Sequence, residues 1–125
     1  MKYNKNIVLN ILSSEFFKQI EEFIEQCVWE LDGSELAHII YEGADYAELD
    51  YIDGLRILDY DVWQEEENEH ISGALEVSAV IDGYAYWEGE DIAVGFGFYT
   101  LGLTFEFLGY GDHYSDLELD LEYTC

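Results

Sequence analysis

From Asp116 to Tyr123 acidic and apolar residues alternate without a break. Leu117, Leu119, Leu121 and Tyr123 take one parity, and Asp116, Glu118, Asp120 and Glu122 take the other. A period of two belongs to a half-buried strand, with one face on a core and the other in solvent. The solvent face would then carry a row of carboxylates about 7 Å apart. Like charges that close repel, and selection for stability alone would interleave Lys or Arg. None is present: residues 57–125 hold seventeen Asp and Glu and no Lys or Arg.

The first 56 residues are less extreme, with twelve acids and four bases, and the whole chain of 125 residues carries a formal charge of −25. Half of the residues are apolar and 17% are aromatic, so the chain has the means to build a core and is not a disordered acidic tail. Such a charge repels phosphates. It argues against direct binding to nucleic acid or to an anionic membrane, and for a basic protein partner. No apolar run reaches the roughly 20 residues of a membrane span. Met1–Ser14 lacks a small-residue cleavage site, so no signal peptide is expected. With two cysteines only, Cys27 and Cys125, no disulfide framework is expected, which fits a reducing cytoplasm.

The chain reads as a single domain of the α+β class, helical over 14–42 and strand-rich over 46–123. Ile7, Val8, Leu9, Ile11 and Leu12 fit either a short strand or the first turns of a helix. Phe16, Phe17, Ile20, Phe23, Ile24, Cys27, Val28 and Leu31 recur at helical spacing. With Ser13 or Ser14 as cap and Gly33 as a left-handed stop, they predict one long helix, Ser14–Leu31. A short second helix would be capped by Ser34 and closed by Gly43. Two Asp-Gly pairs, Asp53-Gly54 and Asp82-Gly83, have the form of hairpin turns. Gln64–His70 reads as a charged loop. Ile92, Val94, Phe96 and Phe98 are even, whereas Leu101, Leu103, Phe105 and Phe107 are odd; this predicts a bulge or turn near Tyr99–Gly102. The expected architecture is the helices packed on an antiparallel meander of five or six strands.

No phosphate loop, nucleophile elbow or HExxH motif is present, and His38, His70 and His113 are scattered, so no catalytic residue and no enzyme is expected. No cofactor is implied. Asp59, Asp61 and the acidic row offer hard oxygen ligands, but no spaced calcium loop encloses an ion, and no designed metal site is expected. The candidate partner surface is Asp116, Glu118, Asp120 and Glu122, extended by Asp59, Asp61, Glu65, Glu66, Glu67 and Glu69, and joined by Glu88, Glu90 and Asp91. Tyr114, Tyr86 and Trp87 would add contact area, as Tyr and Trp do at interfaces.

In size and charge, and in carrying its acids on a folded frame, the chain resembles the DNA-mimic inhibitors of phages and mobile elements, anti-restriction and anti-CRISPR proteins among them. The resemblance rests on composition and pattern. It implies a non-enzymatic inhibitor that occludes a basic nucleic-acid-binding protein, with a defence nuclease as the expected target. Two other readings stay open. One is an antitoxin or immunity protein for a basic toxin. The other is an acidic accessory domain with a divalent-metal role. All three leave room for a homodimer.

Overall fold

The computed structural model describes residues 2–124. Three helices, α1 (Lys5–Glu15), α2 (Phe17–Trp29) and α3 (Gly33–Ile39), precede four strands, β1 (Tyr46–Glu65), β2 (Asn68–Trp87), β3 (Glu90–Tyr110) and β4 (His113–Thr124). The strands form one antiparallel meander in the order β1-β2-β3-β4. The α+β class holds. The expected five or six strands are corrected to four, and the one long helix plus a short one to three helices.

Each correction has a local cause. Residues 5–15 are helix because the Asn4 side chain accepts from the Ile7 amide at 2.9 Å, capping the first turn. Ser13 and Ser14 are not caps. They lie inside α1 and donate back to the Leu9 and Asn10 carbonyls. The chain breaks at Phe16, whose ring turns inward to lie 5.3 Å from that of Phe107 on the sheet. Gly33 does not stop a helix; it opens α3, which Asp32 and Glu35 close with a reciprocal capping box.

The two Asp-Gly pairs are not turns. Asp53 is an extra residue bulged out of β1 where the register slips between Ile52 and Gly54. Gly83 lies in mid-strand, where a Cβ would stand 2.9 Å from Ile40 of the segment after α3. The actual hairpins turn on two residues each: Glu66-Glu67, Glu88-Gly89 and Gly111-Asp112. Glu88 and Gly89 both have positive φ, as a type I′ turn requires. Gln64–His70 is therefore two strand ends around a tight turn.

Strands of 20 or 21 residues are long for a globular sheet. Three one-residue slips in β1, at Asp50, Asp53 and Leu58, bend it around the helices. All three helices lie on one face. There Val8, Leu12, Ile20, Ile24, Val28 and Leu36 meet Ile71, Leu75, Val77, Ile81, Leu101, Leu103 and Phe107, every one of them fully or almost fully buried. The sheet residues of this set are all odd. No slip is needed near Tyr99–Gly102, where β2 and β3 pair in unbroken register. Odd positions face the helices along β3 from Gly97 to Gly109, and Phe96 and Phe98 face the other way.

Candidate functional site: the open face of the sheet

The face away from the helices carries no second layer, and its residues can be followed across the strands from the pairing register. Asp61, Ser72, Glu106 and Glu118 form one row; Asp59, Ala74, Thr104 and Asp120 form the next. Both rows are acidic on the outer strands and small on β2. The result is a shallow trough lined by Asp59, Ser72, Ala74, Thr104, Glu106, Glu118, Asp120 and Glu122. Its walls, β1 and β4, stand three strand spacings apart, about 14 Å. Along each wall the carboxylates repeat every two residues, about 7 Å.

One end of the trough is closed by aromatic and imidazole stacking. His70 lies against Trp63 with ring centroids 5.1 Å apart and planes at 9°. Its Nε2 is 2.8 Å from Glu65, and its Nδ1 is 3.5 Å from Glu106 without a hydrogen bond. At the other end Arg56 reaches Glu76 at 2.8 Å, and Glu76 also accepts from the Tyr123 hydroxyl at 3.2 Å. Among the described residues Arg56 is the one Lys or Arg on this face, and it is already paired.

The expected acidic row is only partly one row. Glu118 and Asp120 share the open face. Asp116 is an extra residue in a bulge with φ of 56°, and Glu122 is an extra residue in a second slip. Both still border the site: Glu122 lines the trough, and Asp116 lines an adjoining hollow with His70, Glu106 and Glu118. The slip at Glu122 carries Tyr123 across to the open face, where its ring covers Gly102. Glu66 and Glu67 extend the acidic surface at the β1–β2 turn.

Other expected residues lie elsewhere. Glu69 faces the helix side. Lys2 donates to it at 2.8 Å and the Tyr3 hydroxyl at 3.1 Å, so its charge is taken up in anchoring the N-terminal segment. Tyr114 is half-buried against Phe107. Burial, and hydrogen bonds to Tyr114 and Glu69, push the Tyr3 phenol well above its ordinary value. Glu88, Glu90, Asp91, Tyr86 and Trp87 cluster at the β2–β3 turn, the far end of the sheet from the trough. His38 and His113 are exposed, on α3 and at the start of β4.

That far end has a different chemistry. Its rows read Tyr51, Val80, Phe98; then Glu48, Asp82, Phe96; then Tyr46, Tyr84, Ala93. Tyr46 and Tyr84 stack at 5.3 Å, and Phe96 and Phe98 meet edge to face at 6.1 Å. Phe96 is 64% exposed and Phe98 70%. Glu76, Glu106, Phe96 and Phe98 lie on the open face as well, outside the expected set of contact residues. The signal for the two phenylalanines was their parity, opposite to Leu101, Leu103, Phe105 and Phe107. Among the described residues no group of three or more His, Cys, Asp or Glu is arranged to hold a metal ion. Among them, too, no helix is long and apolar enough to cross a membrane. Compared with known protein families, curated proteins and solved structures, the chain matches none.

Proposed function

We propose that this protein is a non-enzymatic inhibitor that presents the trough to a basic nucleic-acid-binding protein and occupies the place of the nucleic acid. The observation that carries the reading is the pair of carboxylate walls, Asp59 and Asp61 on β1 and Glu118 and Asp120 on β4, on either side of a floor of Ser72, Ala74 and Thr104 to which Glu106 adds a further charge. Two lines of negative charge about 14 Å apart flank a shallow groove, as the two backbones flank the roughly 12 Å major groove of duplex DNA. The strand frame fixes the charges before binding, so little ordering entropy opposes association. A field from 29 acids against four bases speeds encounter with a cationic surface. The blocked protein would be a nuclease of a defence system, as the resemblance to phage-borne DNA mimics suggests, and the mechanism is occlusion.

The test is affinity capture from nucleic-acid-depleted host lysate on the immobilised protein, washed at about 50 mM and about 500 mM salt, where the screening length falls severalfold. A nucleic-acid-binding protein retained at low salt, released at high salt and displaced by added duplex DNA supports the reading. A partner held equally at both salts, or held equally by the Glu118→Lys, Asp120→Lys double variant, overturns it.

A further inference from the structure

The aromatic end of the sheet has an open edge as well as an open face. β4 pairs with β3 only as far as Thr124 opposite Leu101, so from Glu90 to Thr100 β3 is paired with β2 on one side and, among the described residues, has no strand on the other. A strand edge presents a line of unpaired amides and carbonyls to whatever extended chain reaches it, and proteins ordinarily blunt such edges with charge or proline. Here the free stretch opens on two acids, Glu90 and Asp91, and bulges at Val94 where the β2–β3 register slips, but beyond that bulge, from Gly95 to Thr100, it carries neither device. Residues 92–105 contain no charged residue, and the chain has no proline.

The register states what an added strand would meet. On the open face it would lie beside Phe98, continuing the row Tyr51, Val80, Phe98, which asks for an apolar side chain. Two residues along it would lie beside Phe96, continuing the row Glu48, Asp82, Phe96. There an Arg or Lys could cross the exposed ring toward the Asp82 carboxylate, gaining a cation–π contact and a charge pair. On the helix side, a cleft lined by Ser34, Glu35, His38, Ile39, Tyr99 and Thr124 opens where β4 stops. It has room for the side chain next to Tyr99.

We infer that the β3 edge, residues 92–100, docks an extended segment of a partner protein by strand addition. The segment would bear an apolar residue beside Phe98 and an Arg or Lys beside Phe96. Strand addition draws affinity from the backbone ladder and specificity from alternate side chains. A second copy of this chain fits less well, because its own strands carry no base but Arg56 to place against Asp82 and Glu48. The surface is separate from the trough, and the inference stands or falls independently of the function proposed there.

The experiment is hydrogen exchange of the full chain, read amide by amide over residues 92–100. The probe is a peptide of about ten residues alternating valine and arginine, a length typical of a strand. Its controls are a valine–glutamate counterpart and a version interrupted by proline. The expected result is that the valine–arginine peptide alone slows the edge amides at least about tenfold. The same protection is expected in the Glu118→Lys, Asp120→Lys variant, and it should be lost in Phe98→Lys. Phe98 is 70% exposed, so that substitution leaves the core alone, and an unchanged melting temperature checks it. Protection confined to the trough overturns the inference, as does equal protection by the proline-interrupted peptide. Protection that appears on raising protein concentration without peptide also overturns it and assigns the edge to a second copy.

Discussion

The two ends of the open face are built on the same β1, β2 and β3, yet one is walled with carboxylates and the other paved with aromatic rings. The difference follows β4. Where β4 is present it closes the β3 edge, adds Glu118 and Asp120, and completes a charged trough. From Glu90 to Thr100, where among the described residues no strand covers that edge, Phe96 and Phe98 stand in solvent. The helix layer differs too. Gln19 of α2 donates to the Leu117 carbonyl of β4 behind the acidic end, whereas the end of α3 lies behind the aromatic one. One sheet thus offers two recognition chemistries, long-range charge at one end and short-range apolar contact with backbone pairing at the other.

The largest effect expected from separating the halves is on binding. Glu118→Lys with Asp120→Lys places cations against a basic partner, and affinity should fall by several kcal/mol for the pair. Stability should hold within about 0.5 kcal/mol, because Lys at 118 would face Glu106 across the ladder in place of a like charge. Chemical denaturation of the double variant checks the second statement. If affinity survives with the fold intact, the trough is only a solvated face.

Next comes Gly97→Ala, which probes what holds the aromatic half in place. A Cβ there would lie 2.5 Å from the Ile39 carbonyl oxygen, which is backbone and cannot step aside cheaply. The cost should be on the order of 1–3 kcal/mol. Gly54→Ala is the matched control. It meets nothing within 4 Å, so it should be neutral or slightly stabilising. Equal melting temperatures for the two variants would mean that α3 does not press on the sheet.

A smaller effect is expected under the acidic half, at Tyr3. Its phenol titrates above the ordinary value near 10 in the folded chain, chiefly because it is buried. A raised folded value means that this group's contribution is full below the unfolded value and is lost as pH rises through the folded one. Stability should therefore fall on the alkaline side. Tyr3→Phe should lose about 1 kcal/mol at neutral pH, from the hydrogen bond to Glu69, and should decline less steeply above about pH 10. Parallel alkaline curves for the two proteins would count against it.

The smallest expected effect is that of salt on the free protein. Screening the self-repulsion of −25 charges should raise the melting temperature by a few degrees between about 20 mM and about 300 mM salt. A melting temperature flat in salt would mean that geometry already keeps the carboxylates apart.

Much of this was written in the chain itself. The three-and-four spacing of Ile20, Ile24, Cys27 and Val28 makes α2 a helix wherever it packs. The alternation around Leu117 and Leu119 makes β4 a strand with Glu118 and Asp120 on its other side. The absence of any base after Arg56 fixes the sign of the surface. The tertiary structure decided the number of strands and the site of the first turn, at Glu66-Glu67, whereas Gly89 and Gly111 already marked the other two. An Asp-Gly pair signals a hairpin only if its residues are free to take positive φ. Asp53 was absorbed as a bulge, and Gly83 was needed small beneath Ile40. The same layer decided the fate of Phe96 and Phe98. Local pattern gives a strand its two faces but not which of them the helices will cover. The Ile39 carbonyl stands over Gly97, where no side chain intervenes. With that face taken, both rings were left to solvent.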